Sequence, residues 1–183
     1  MERTRQVVLD TTIQIIAQNG YGAVTIEAVA ARSGVAKSTI YRHWPGRLEL
    51  INDAFHELTP PMSVPREGPL RDRIVYLLEN LATNVAASNW SSCLPALIDA
   101  AEHDPETREL HRRMAATGRQ TLVDLLSEGM AKGELPADLD PVLMTEALAG
   151  PIMLRRLFSS EPFDPAQVPA LVDQVLPLER VSE

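Results

Sequence analysis

The chain has 183 residues, 45% hydrophobic but only 4% aromatic, so it can bury a sizeable core and that core is aliphatic. No apolar run approaches the roughly 20 residues that span a bilayer, the first residues lack the apolar block of a signal peptide, and a single cysteine, Cys93, makes neither an intrachain disulfide nor a cysteine metal cluster. The net charge of −8 argues against a nucleic-acid partner until its distribution is read: residues 1–47 carry Arg3, Arg5, Arg32, Lys37, Arg42 and Arg47 against only Glu2, Asp10 and Glu27, a basic head on an acidic body.

Taken in order, residues 4–19 read as a first helix. Val8, Thr12, Ile15 and Ile16 recur on one face, and Asn19-Gly20 stops it. Thr25 is placed to cap a second helix over 26–33, with Glu27 in its first turn. A third helix over 36–43 ends at Pro45-Gly46. A fourth starts near Gly46 or Arg47, with Leu48, Ile51, Ala54, Phe55 and Leu58 facing inward. The Pro-rich stretch Thr59 to Gly68 separates this head from the rest. A fifth helix follows on the period of Leu70, Ile74, Leu77, Leu78, Leu81 and Val85, then a shorter one over about 90–101. Asp104-Pro105, Asp140-Pro141 and Asp164-Pro165 repeat one device, an Asp cap before a first-turn proline. They predict helices over about 105–130, 141–158 and 165–176, with a kink or break at Gly150-Pro151. Nothing alternates like a strand. The expected fold is all-α, about nine helices.

The second and third helices meet at Ser33-Gly34-Val35. Small Ala30 lets them approach, Gly34 supplies the positive φ of the turn, and Ile40 plugs the third helix back onto the second, with Val35 and Trp44 completing that core. This is the spacing of a helix-turn-helix whose second helix enters the major groove of DNA. With Val35, Ile40 and Trp44 turned inward, Lys37, Ser38, Thr39, Tyr41, Arg42 and His43 are left outward. Lys37, Ser38 and Arg42 are the base-edge candidates, Arg42 being able to read guanine O6 and N7. Thr39, Tyr41 and His43, with Thr25 and Arg47 at two helix starts, are the phosphate candidates. Taken singly, each would pass for an ordinary solvated side chain.

Asn19-Gly20-Tyr21, Thr25, Ile26, Ala30, Gly34-Val35, Lys37, Thr39-Ile40-Tyr41, Trp44 and the run Leu48 to Phe55 resemble the DNA-binding domain of TetR-family transcriptional regulators. Three positions depart from the family pattern. Ala36 stands where a capping Ser is frequent, so the cap of the third helix must come from Ser33, water or DNA. Trp44 replaces a usual Phe, and Arg47 a frequent Lys. The resemblance implies a DNA-binding domain over 1–47, a connecting helix over about 47–58, and a C-terminal regulatory and dimerisation domain over 59–183. It further implies a cytoplasmic homodimer on a palindromic double-stranded DNA operator, most simply a repressor released by a small-molecule effector.

Two features of the body bear on that implication. Tyr76, Trp90, Cys93, Met114, Met130, Met144 and Met153 lie on apolar helical faces, and either pack as plain core or line an effector cavity. The last two helices are more apolar than one stripe needs. Leu143, Ala147, Ile152, Leu154, Leu157 and Phe158, then Val168, Leu171, Val172, Val175 and Leu176, form either a dimer face or monomer core. Among His43, His56, His103 and His111, only His103 with Asp104 and Glu106 suggests a metal, and the spacing matches no standard ligand set. No metal, cofactor or catalytic constellation is expected, and Cys93 reads as a buried thiol. The alternatives are an enzyme or small-molecule carrier with an incidental helix-turn-helix, or a DNA-binding activator that uses no ligand.

Overall fold

A computed structural model describes residues 2–58, 64–87, 89–159 and 161–176. Among the described residues there are nine α-helices and no strand. They are α1 (Glu2–Asn19), α2 (Ile26–Ser33), α3 (Lys37–His43), α4 (Arg47–Leu58), α5 (Leu70–Ala87), α6 (Asn89–His103), α7 (Pro105–Ala131), α8 (Pro141–Leu154) and α9 (Val168–Val175). Short 3-10 turns occur at Tyr21–Ala23 and Pro165–Gln167, and a π-turn at Arg155–Ser159. The packing divides the chain into two units. One comprises 1–60 with 88–115, the other 61–87 with 116–183.

The first unit is built on α1. Its buried face, Val8, Leu9, Ile13, Ile15 and Ile16, meets α2, α4 and α6. Thr11 and Thr12 are buried there because each hydroxyl donates to a carbonyl one turn earlier, Val7 O at 2.7 Å and Val8 O at 2.8 Å. Helix α4 buries Leu50 as well as Ile51, Ala54 and Phe55, so it is clasped on a broader face than the sequence period suggests. Helix α6 adds Cys93 and Leu97 to the same core, and α7 adds Leu110 with Met114 packed against it. Cys93 therefore belongs to the core of this unit: it is fully buried, its thiol lies 3.7 Å from Ile13 O, and burial pushes its pKa up to about 11. It is the inert buried thiol the sequence suggests, and its partner is α1.

In the second unit α5 packs against α8, α9 and the 3-10 turn before α9. Leu70, Ile74, Leu77, Leu78, Ala82 and Val85 supply its buried face. The Asp-Pro devices act as caps. Asp104 accepts from the Thr107 amide at 2.9 Å in the first unit, and Asp140 from the Val142 and Leu143 amides at 2.8 and 3.1 Å in the second. Asp164 caps only the 3-10 turn, through Ala166 N, and α9 proper begins at Val168. After α7 the chain turns, with Gly133 at φ +75° and Glu134 N donating to Gly129 O at 2.9 Å.

One expectation is corrected here. Helix α8 does not break at Gly150-Pro151. It runs through Pro151 to Leu154, and the chain then loosens into the π-turn. A proline removes one helical hydrogen bond, which a helix held by packing tolerates. The apolar surplus near the C-terminus divides into buried and exposed residues. Ile152, Val168, Val172 and Leu176 are buried in the second unit's own core, and Leu171 and Val175 are half-buried. Leu143, Leu154 and Phe158 are the residues left out, at 59%, 57% and 82% exposed. Ala147 and Leu157 are half-buried.

Candidate nucleic-acid interface

The helix-turn-helix is set by local chemistry. The Thr25 hydroxyl accepts from Ala28 N at 3.0 Å and starts α2. Gly34 ends it at φ +72°, with its amide donating to Ala30 O at 3.0 Å. A side chain at Gly34 would carry the cost of the left-handed region although nothing crowds it. Ser33 Oγ accepts from Val35 N at 3.2 Å, so it closes the turn and does not cap α3. No side chain caps α3 at Ala36. Of its opening amides, Thr39 N donates to Ala36 O at 2.9 Å, and a helix start leaves its first amides without helical acceptors.

Ile40, wholly buried, and Trp44, 2% exposed, anchor α3 to the core, while Ala30 and Val35 pack against that core half-buried. Gly34 itself is exposed at the turn. Trp44 carries a second tie: its indole N–H donates to Asp53 Oδ2 of α4 at 2.9 Å. Arg5 of α1 reaches the same carboxylate at 3.5 Å and Glu57 at 2.9 Å. The end of α3 is thus joined to α1 and α4, and Arg5, one of the cations of the basic head, serves structure. The Glu57 carboxylate beside Arg5 raises the guanidinium's pKa further. Arg32 is likewise engaged, with Gln18 at 2.6 Å.

The outward residues are Lys37, Ser38, Tyr41, Arg42 and His43, all exposed, with Thr39 half-buried among them. Tyr41 is 50% exposed, a large aromatic left in water. Arg42 enters no ion pair among the described residues. Lys37 does: its ammonium is 2.9 Å from Glu27 Oε1. Arg47, half-buried at the start of α4, lies over the Tyr21 ring at 4.9 Å. The Tyr21 hydroxyl is 3.2 Å from Thr107 Oγ1, which also bonds the Asp104 carboxylate. The Thr107 hydroxyl holds that carboxyl below the usual range, with a smaller contribution from Arg47. Beside these residues runs an open cleft of 780 Å³, lined by Tyr21, Arg47, Glu49, Asp99, His103 and Asp104 among others.

The structure leaves the proposed effector-cavity residues in different settings. Cys93 and Met114 pack in the first unit, Tyr76 is 43% exposed on α5, and Met144 is half-buried on α8. The Trp90 side chain lies outside the described residues. Among the described residues no group of three or more His, Cys, Asp and Glu side chains could hold a metal ion, and no helix is long and apolar enough to cross a membrane. Sequence reasoning missed Glu27, Asp53 and Tyr21 as partners of Lys37, Trp44 and Arg47. The Glu27–Lys37 pair spans ten positions and the Trp44–Asp53 pair nine, so no helical period announces them.

Comparison with known proteins agrees with this geometry. Residues 8–54 match the family described as bacterial regulatory proteins, tetR family, and residues 64–175 match the tetracyclin repressor-like C-terminal domain. The chain is 31% identical to the HTH-type transcriptional regulator YdeS of Bacillus subtilis, over 93% of this chain and 87% of that one. It is 30% identical to the DNA-binding transcriptional repressor TetR of Mycobacteroides abscessus, over 96% and 93%. Among solved structures, the TetR family transcription regulator SCO0332 superposes with a TM-score of 0.71 at 29% identity, covering 93% of this chain and 95% of that one. With both halves matched and a helix-turn-helix whose polar face is open, the chain belongs to the TetR family of DNA-binding transcriptional regulators.

Proposed function

We propose that the protein is a homodimeric repressor that reads a palindromic operator through Thr25 to Arg47 and leaves it when a small molecule binds. The observation that carries this reading is α3. It is pinned by Ile40 and Trp44 and offers Lys37, Ser38, Tyr41, Arg42 and His43 to solvent together. Lys37, Ser38 and Arg42 take the base edges. Thr39, Tyr41, His43, Thr25 and Arg47 take phosphates, which fix register without reading sequence.

One seven-residue helix gives too little affinity and selectivity alone. Two copies, with recognition helices about 34 Å apart on successive major grooves, supply both. Leu143 and Leu154 stand three turns apart on one face of α8, with Ala147 and Gly150 between them and Phe158 beyond. A Cβ at Gly150 would meet nothing, so that face is open. Leucines flanking small residues suit close approach of a second helix, which supports an isologous contact through α8. Release follows as a population shift toward a dimer whose helices no longer match the grooves. Family membership supports an effector, and supports reading the chain as a regulator without catalysis.

Selection of binding duplexes from a random library tests the reading. Enriched sequences with two inverted half-sites one helical turn apart, bound by a species of twice the chain mass, are expected. Enrichment of no sequence, or binding as a monomer, contradicts it. Replacing Leu154 by Glu should halve the mass in solution and weaken operator binding together.

A further inference from the structure

The two helix starts that carry proposed DNA contacts also hold one another's charge. Glu27 stands in the first turn of α2, where the helix dipole favours a carboxylate. Lys37 opens α3, where the same dipole disfavours a cation, and no acid stands in that first turn. The Lys37 ammonium crosses instead to Glu27 Oε1 at 2.9 Å, and the contact holds the Glu27 carboxyl below its ordinary range. At 53% and 60% exposed, the two side chains are held by each other rather than by packing.

A phosphate and the Glu27 carboxylate are therefore competitors for one ammonium. Withdrawing Lys37 would also bare Glu27 two residues from Thr25, a proposed phosphate contact, where its charge repels the backbone. A generic phosphate offers Lys37 little that Glu27 does not. A base edge with paired acceptors, such as guanine O6 and N7, offers more. We infer that Glu27 is a specificity-determining residue, an internal counter-ion that keeps Lys37 off random-sequence DNA and yields it only to a base edge of the operator. The inference rests on the proposed DNA contact by Lys37.

Full-length wild type, Glu27→Gln, Lys37→Gln and the double variant are titrated by fluorescence anisotropy against a random-sequence duplex and against the selected operator, across KCl concentrations. Glu27→Gln should bind the random duplex about two- to fivefold tighter, the range an exposed ion pair allows. Its salt dependence there should steepen by about 0.9 in log–log slope, one more phosphate neutralised. Operator affinity should rise less, so the ratio of the two falls, and Lys37→Gln should abolish these changes. Unchanged random-duplex affinity and slope in Glu27→Gln overturn the inference, as does tightening that persists with Lys37→Gln, which would be a plain charge effect. If Lys37→Gln alone alters neither duplex, the contact assigned to Lys37 fails and the inference with it. A weakened Lys37→Gln with an unaltered Glu27→Gln overturns the inference alone.

Discussion

Trp44 and Asp53 are joined by an indole-to-carboxylate hydrogen bond of 2.9 Å, and through Asp53 the end of α3 is tied to α4 and to Arg5 of α1. A recognition helix of seven residues has little stability of its own. Its orientation depends on this tie and on Ile40.

Asp53→Ala should therefore lower stability by about 1–2 kcal/mol, the cost of a lost charged hydrogen bond and an orphaned indole N–H. Operator affinity should fall further than the stability loss explains, because α3 loses its fixed attitude. Asp53→Asn keeps an acceptor for the indole and should recover most of the affinity. Thermal melts and anisotropy titrations of both variants check this. Equal affinity in Asp53→Ala and wild type would show that Ile40 alone orients α3.

Acid should weaken the second unit through Glu128. Arg73 donates to both its oxygens, at 2.9 and 3.0 Å, and Lys132 reaches it at 2.6 Å. These cations, Arg73 first, hold its carboxyl down at about 2 against an ordinary 4.5. A carboxylate depressed on folding stabilises above its unfolded pKa, and the contribution disappears as pH falls through the folded one. Glu128→Gln should melt below wild type at neutral pH, and the gap should close between 4.5 and about 2. Melting temperatures measured across pH test this, and parallel curves for the two proteins would contradict it.

Gly129 is required by packing rather than by backbone freedom. It is buried in α7, and a Cβ there would run into the Leu70 side chain and stand 3.3 Å from Leu135 Cδ1. Gly129→Ala gains about 1 kcal/mol of helix propensity but should lose about 1–3 kcal/mol to overpacking. The expected net effect is destabilisation by denaturant titration. Adding Leu70→Ala should relieve the clash in part, so the two changes should be non-additive.

The helix starts and turns were legible because their signals are local. Thr25, Gly34, Asp104 and Asp140 act on amides within three residues of themselves or at their own turn, and those rules are written in consecutive letters. Apolar periodicity likewise found the buried faces of α1 and α5. Periodicity reports that a residue is covered, not by what. Hence Cys93 reads first as core, with cavity lining as the alternative, and packing against α1 places it in the core. Val168 and Val172 read as dimer face with monomer core as the alternative, and the packing of α9 on α5 and α8 buries both within the chain. The pairs Glu27–Lys37 and Trp44–Asp53 depend on how two helices cross and on which rotamer reaches across, and neither is encoded in a spacing.

The central claim is that α3 reads the operator, and Arg42 and Tyr41 test it most directly. Both are exposed, and the core that holds the helix uses neither. Affinities of Arg42→Ala and Tyr41→Ala for the selected operator, measured beside their molar mass and melting temperature, are the decisive numbers. Loss of at least tenfold in each, as removal of a base or phosphate contact implies, with mass and melting unchanged, is the predicted result. Operator affinity unchanged in both would contradict it.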